Sequence, residues 1–255
     1  MAALPRTLVP VIERLARSRA LLGFDFDGTL APIIGDRTAG RMRAVTRALL
    51  GRVCSLYRCA IISGRGLGDL RGRLAGVRPS YLFGNHGIDP SPRKERFRPT
   101  IAAARAQLVA ALQAWPDVDI EDKLYSLSLH YRDCRRPASA RRAINRAIAA
   151  LGLPLRIVGG KQVVNVMPLG APHKGDVMAA LCRRERAEAA LFVGDDVTDE
   201  DVFALDLEDL VTVRVGRSRR SRAQAFLRDQ ASVDSLLELL VELRAGDACR
   251  GISPA

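Results

Sequence analysis

The sequence predicts an α/β fold in two pieces: a parallel sheet with helices on both faces, and a smaller α+β unit inserted after its third strand. Three observations carry this. Short apolar runs at Ala20 to Phe26, Cys59 to Ile62, Tyr81 to Phe83 and Ala190 to Val193 each end in a polar loop, mostly glycine-bounded. Between residues 88 and 172 the pattern changes, with 117–121 and 124–132 alternating polar and apolar at period two. After Pro172 the first pattern resumes.

Residues 6–19 have the spacing of an amphipathic helix, and Ala20 to Phe26 reads as a buried strand ending in acidic residues. Gly28 and Pro32 break the pattern before a helical stretch over 39–52. Cys59 to Ile62 is a second strand, Ser63-Gly64-Arg65-Gly66 a turn, and Leu67 to Leu74 a helix. Tyr81 to Phe83 is a third strand, closed by Gly84-Asn85-His86-Gly87. In the insert, 100–114 and 138–151 are helical, while 117–121, 124–132, Arg156 to Val158 and Gln162 to Met167 are strands. Alternation such as Tyr125, Leu127 and Leu129 against Ser126, Ser128 and His130 predicts a sheet with one covered and one open face. Lys174 to Arg184 is then a helix, Ala190 to Val193 a strand, Asp199 to Leu205 a short helix and Leu210 to Val215 a strand. Val233 to Leu243 closes the chain as a helix that Ser232 can cap, after an exposed basic loop at 217–222.

A chain of 255 residues, 48% hydrophobic, buries a substantial core. No apolar run approaches the roughly 20 residues that span a bilayer, and residues 1–19 lack the uninterrupted apolar stretch of a secretory signal. A cytoplasmic protein without a membrane partner is expected. Five cysteines without a Cys-x-x-Cys pair argue for reduced, structural thiols. The net charge of +12 raises a nucleic-acid partner, but the arginines are scattered and aromatic residues make up only 5%, so no basic stacking surface is evident. The lysines are more informative. Only Lys94, Lys123, Lys161 and Lys174 occur among 40 basic residues, and a compact ammonium retained in an Arg-biased chain marks a position to inspect.

Asp25-Phe26-Asp27-Gly28-Thr29 directly follows an apolar run. Carboxylates at i and i+2 leave the strand end on one side, without an evident partner nearby in the sequence. Burying like charges is costly unless a cation neutralises them, and Mg²⁺ suits carboxylate and phosphate oxygens. A bare Asp-x-Asp also suits a solvated turn. A second acidic cluster, Gly194-Asp195-Asp196-Val197-Thr198-Asp199-Glu200-Asp201, ends another apolar strand, and a shared metal accounts for both. Ser63-Gly64-Arg65 at a strand end offers a hydroxyl and loop N–H groups to phosphate oxygens, although Ser-Gly-Arg is also a common turn. Lys174 lies at a helix start, where the dipole disfavours a cation; the mismatch implies anions supplied from elsewhere, namely Asp25 and a substrate phosphate.

Asp25-Phe26-Asp27-Gly28-Thr29, Ser63, Lys174 and Gly194-Asp195-Asp196, in this order, resemble the haloacid dehalogenase superfamily of phosphotransferases and frame residues 20–200. The resemblance implies a Rossmann-like core in which Asp25 attacks phosphorus and Asp27 protonates the leaving oxygen, then deprotonates the hydrolytic water. It implies Mg²⁺ held by Asp25, the backbone carbonyl of Asp27, and Asp195. Thr29, Ser63 and Lys174 would bind the transferring group, with Asp196 and Asp199 supporting the metal ligands from behind. A carboxyl at position 27 marks a phosphatase, since a positioned acid/base group is worth roughly 10²–10⁴-fold.

Within that superfamily the chain is similar to the trehalose-6-phosphate phosphatase family over nearly its whole length. The shared features are Ser63-Gly64-Arg65, Gly84-Asn85-His86-Gly87, Lys123 before His130-Tyr131-Arg132, and Gly160-Lys161 leading into a strand ending at Pro168. The resemblance implies a catalytic core of residues 1–87 and 173–255, and a specificity cap of residues 88–172. It implies substrate contacts from Arg65, Asn85, His86, Gly87, Lys123, His130, Arg132, Lys161 and Asn165. The expected protein is a monomer acting on a phosphosugar, with trehalose 6-phosphate first. Asn165 stands where the family has Glu, and Met167 where a basic residue is common. Asn keeps hydrogen bonds to hydroxyls but loses charge-assisted ones, which are roughly twice as strong. Asn165 therefore favours the alternative of another glycosyl phosphate, of sucrose phosphate or glycosyl-phosphoglycerate type. A sugar phosphomutase and a non-enzymatic nucleic-acid binder are the remaining alternatives.

Overall fold

In a computed structural model the chain is described over residues 4–5, 8–34 and 39–249. The first turn of the helix expected over 6–19 and the terminal part of the core beyond residue 249 lie partly outside these residues.

The first sheet has six strands in the order β10-β9-β8-β1-β2-β3, all parallel. They are β1 (Ala20–Phe24), β2 (Arg58–Ile62), β3 (Tyr81–Phe83), β8 (Ala189–Gly194), β9 (Leu210–Val215) and β10 (Ala225–Leu227). Successive strand side chains point to opposite faces, so continuous apolar strands demand a cover on each. Leu22, Phe24, Cys59, Ile61, Leu191 and Val193 pack beneath α1 (Val9–Arg17), α2 (Ala44–Leu56) and α8 (Ser232–Cys249). Leu21, Ala60, Ile62, Ala190 and Phe192 face α6 (Lys174–Glu185) and the short α7 (Glu200–Phe203). A shorter helix, α3 (Leu67–Arg73), joins β2 to β3.

The second sheet is antiparallel, β4-β5-β7-β6, built from β4 (Asp119–Asp122), β5 (Leu127–His130), β6 (Leu155–Gly160) and β7 (Val163–Pro168). Its apolar face packs against α4 (Arg98–Ala111) and α5 (Pro137–Ala149) through Leu127, Leu129, Val164 and Val166. The fold is thus a helix-flanked parallel core carrying an α+β cap between β3 and α6, as the sequence pattern predicts. No helix among the described residues is long and apolar enough to cross a membrane.

Four local expectations change. The cap sheet's second face is not open to water: Ser126, Ser128 and Asn165 are buried, because that face turns toward the core. Helix α2 begins at Ala44 rather than 39, since Arg43 is extended and the Gly40 carbonyl accepts a hydrogen bond from Arg73. Ser232 does not cap α8 as an acceptor; its backbone N–H and hydroxyl both donate to Asp229 Oδ1. The three-residue β10 has no periodicity long enough to be read from sequence.

Strand β1 lies between β8 and β2, so the chain leaves it toward one edge through β2 and β3, then returns to the other side with β8. In parallel sheets such a reversal opens a crevice at the carboxyl ends of the strands, where ligands bind.

Candidate active site

Asp25 continues β1 by one residue, its N–H bonded to the Val193 carbonyl of β8 at 2.9 Å. Asp195 follows β8 on the neighbouring strand. Register therefore brings the two acid-bearing tips together: one ligand atom each from Asp25, Asp195 and Asp199 lies within 4.8 Å of the others. All three residues are buried. Lys174, 1% exposed, enters from the first turn of α6 and donates to Asp25 Oδ1 at 2.8 Å and Asp199 Oδ1 at 2.7 Å. His173 and Asp176 close the helix start as reciprocal caps, so His173 has a structural role.

The charges explain one another. Burial would discharge Lys174, but Asp199 and Asp25 outweigh it and raise its pKa. Burial, with Asp199 and Asp195 nearby, holds the Asp25 carboxyl well above the ordinary carboxylate range against the pull of Lys174. Burial and Asp199 push Asp195 up to about 7, although Lys161 reaches over from the cap to its Oδ2 at 2.6 Å. The protein's own cations leave this cluster short of positive charge.

The donor set fits Mg²⁺. It is all oxygen, as a hard ion requires, and Asp195 Oδ1 is buried without a hydrogen-bond partner. Asp25 and Asp195 would hold the ion. Asp199 is otherwise engaged: Oδ1 accepts from Lys174, and Oδ2 from the N–H groups of Asp195 and Asp196. It shapes the loop and anchors the lysine. Gly28 has φ +83°, and any Cβ there would collide with the Asp195 carboxylate, so the close approach of the two loops requires glycine.

Asp27 parts company with Asp25. The strand has ended, and its side chain turns to the Arg65 fork, Nε to Oδ2 at 2.7 Å and Nη2 to Oδ1 at 2.6 Å. The side chain lies outside the carboxylate cluster of Asp25, Asp195 and Asp199. Ser63 and Thr29 are buried beside these loops; Ser63 Oγ accepts from the Arg65 N–H, and Thr29 Oγ1 has no partner.

The cap closes a cleft of about 400 Å³ over this edge. Asp25, Asp27, Arg65, His86, Lys123, His130, Arg132, Lys161, Asn165, Lys174, Asp195 and Asp196 line it. Lys123 spans from the cap to the Gly64 carbonyl at 2.9 Å and also donates to Ser128 Oγ, which in turn donates to Asn165 Oδ1. Arg132 donates to the Ile34 carbonyl across the cleft mouth. Two expected substrate contacts do not line the cleft. Asn85 is buried and accepts from Ser126 Oγ, tying core to cap. Gly87, at φ +117°, packs against Val177 and the His173 carbonyl.

Glu121 was not a sequence candidate and does line the cleft, 3.0 Å from His130 Nε2 and 3.6 Å from Lys123 Nζ. Its signal was available: Glu121 precedes Lys123 by two residues, the same-face spacing of a strand. Ile33 and Ile34, exposed apolar side chains in the cleft wall, carried no such signal.

A parallel core with paired acidic tips at its switch point, under an α+β cap, defines a capped α/β fold of the haloacid dehalogenase class. The C-terminal domain of the C. albicans trehalose-6-phosphate phosphatase superposes with a TM-score of 0.81 at 23% identity, covering 94% of this chain and 99% of that one. The sucrose-phosphatase of Synechocystis sp. PCC6803 shares the fold at a TM-score of 0.57 and 16% identity, covering 89% and 98%. The trehalose-phosphatase family model matches residues 23–212, and the chain belongs to that family. A trehalose-phosphate phosphatase of Mycolicibacterium paratuberculosis is 31% identical over 210 residues, covering 75% of this chain and 52% of the relative. The chain spans about half the length of the curated relatives it matches.

Proposed function

We propose that the chain is a magnesium-dependent phosphatase that hydrolyses trehalose 6-phosphate through an aspartyl phosphate on Asp25. The observation that carries this is the meeting of Asp25, Asp195 and Lys174 at the switch point of the sheet. Asp25 is the nucleophile, and Lys174 balances charge on it and on the phosphoryl group. Asp27, aligned by Arg65, moves the proton to the leaving sugar oxygen and from the water that follows. Thr29 and Ser63 offer hydroxyls to the phosphoryl oxygens. Bound Mg²⁺ would supply positive charge to those oxygens, where phosphoryl transfer gains most.

Residues 1–87 and 173–255 form the catalytic core, and 88–172 the cap that recognises sugar. Lys123, Lys161, Asn165, His130 and Glu121 face the cleft with donors and acceptors for hydroxyls. The chain acts as a cytoplasmic monomer, and the free thiols of Cys54, Cys59, Cys134 and Cys182, buried or partly buried, suit a reducing compartment. Magnesium-dependent phosphate release across a panel of phosphosugars tests the reading, with trehalose 6-phosphate expected to be hydrolysed fastest. Asp25→Asn should abolish turnover with the fold intact, and EDTA should silence the wild type. Substantial activity in either case refutes the mechanism. The second reading, another glycosyl phosphate, is favoured by Asn165, whose amide carries no charge and whose Oδ1 already accepts from Ser128. A faster rate on sucrose phosphate or a glycosyl-phosphoglycerate would establish it.

A further inference from the structure

We propose that His86 is a further catalytic residue, donating a ring N–H hydrogen bond to a non-bridging oxygen of the phosphoryl group; this rests on the phosphatase reading above. His86 is 6% exposed, and neither Nδ1 nor Nε2 has a hydrogen-bond partner. A buried polar group left unpaired is costly, and one retained in a native structure calls for a reason such as a catalytic role, strain, an ion or a water.

The backbone fixes where the ring goes. His86 adopts a left-handed φ of +60°, and its N–H donates to the Ser63 carbonyl at 2.9 Å. This lays the imidazole against Gly64, where a Cβ would lie 2.5 Å from Cε1 and 2.8 Å from Nε2. The ring therefore sits beside the Ser63-Gly64 turn and lines the cleft together with Asp25 and Lys174.

The surroundings select the ligand. Burial, and the nearby Lys123, Lys174 and Arg156, hold the imidazole neutral, so it carries one N–H donor and one lone pair. The two lysines do not satisfy it: Lys174 donates to Asp25 and Asp199, and Lys123 to Gly64 and Ser128. A corner crowded with cations around an unpaired donor favours an anionic oxygen over a sugar hydroxyl. Because His86 stays neutral, it stabilises charge on the phosphoryl oxygens without competing with Asp27 for the proton.

The test uses inorganic phosphate and trehalose as separate probes on the magnesium-loaded protein. In His86→Leu, phosphate affinity measured calorimetrically should fall about 10- to 100-fold, as loss of a hydrogen bond to a charged group predicts. The kcat/KM should fall in parallel, mainly through kcat, while trehalose affinity holds. His86→Asn, which restores an N–H donor, should recover part of the loss. Unchanged phosphate affinity in a folded His86→Leu overturns the proposal, as does a loss confined to trehalose. Should that variant not fold, the unmodified protein still decides. It contains three histidines, and nitrogen-15 spectra, assigned with His130→Gln and His173→Gln, should show the His86 ring N–H shifting on phosphate addition. An enzyme that turns over phosphosugars but shows no such shift at saturating phosphate sinks this inference alone. One that neither turns over nor binds phosphate sinks the phosphatase reading with it.

Discussion

Lys174→Met is the most demanding test of the charge balance at the sheet edge. The ammonium is 1% exposed and bonded to two buried carboxylates, at 2.8 and 2.7 Å. Methionine matches the four-atom stem of lysine without the ammonium, so the change keeps the apolar packing and removes the charged group with its hydrogen bonds. Removing one partner from a buried ion pair costs about 3–5 kcal/mol, a large part of the roughly 5–15 kcal/mol that holds a protein folded. With a urea slope of about 3 kcal/mol/M, the unfolding midpoint in EDTA should drop by about 1–1.7 M. Magnesium should return part of the loss, because the same carboxylates gain an alternative cation. At 100-fold excess over its Kd, a ligand specific to the native state adds about 2.7 kcal/mol. Phosphate release should remain abolished even in the metal-restored protein. A midpoint in EDTA within about 0.3 M of wild type would refute the reasoning, because the carboxylates would then need no cation.

The pH dependence of the metal-free protein should run opposite to that of a protein whose carboxylates have their pKa lowered on folding. Asp195 is raised from 3.8 to about 7, so the folded state holds its proton more tightly than the unfolded chain and loses that advantage as pH climbs between these values. The loss is on the order of 4 kcal/mol, and burial raises Asp25 in the same direction. Unfolding midpoints in EDTA should therefore fall from pH 5 to pH 8, with the slope flattened by Mg²⁺; a rise over that window contradicts the assignment. Gly28→Ala should weaken Mg²⁺ binding at least tenfold by calorimetry, because its Cβ displaces the Asp195 carboxylate; wild-type affinity would mean that Asp195 is not a ligand.

The strands of the core are legible in the sequence because they are buried on both faces, and a run such as Ala20 to Phe24 is continuously apolar for that reason. Asp25, Asp195 and Lys174 are legible for a related reason: each is a charge where local physics disfavours one. Asn85 is harder to read because its sequence context, a glycine-bounded loop after a strand, does not distinguish a ligand contact from a tie to another part of the chain. The tie itself, from Ser126, has no mark in the sequence. Ser128 hides for a similar reason. Its polarity reads as a wet strand face, whereas the face is buried against the core and its polarity belongs to the cleft. Pairings within a strand or across neighbouring strands leave periodic marks, but a contact between two units of the chain leaves none.

That missing mark is also what makes the cap's hold on the core informative. Around the cleft it consists of single polar bonds, Lys123 to the Gly64 carbonyl, Lys161 to Asp195, Arg132 to the Ile34 carbonyl and Ser126 to Asn85, with an ion pair of Arg156 and Asp201 beside them. Each contributes about 1 kcal/mol net when neutral and somewhat more when charged, so they hold the closed arrangement only modestly. An interface of this kind permits domain motion. Lys161 has the most consequential partner, since Asp195 is also a carboxylate that fits Mg²⁺. Positive charge arriving at Asp195 weakens the attraction that holds the cap hairpin down, and by linkage a closed hairpin weakens the affinity of Asp195 for that charge. Of the polar bonds across the cleft, the one from the Lys161 ammonium is thus the one that a cation at Asp195 would loosen.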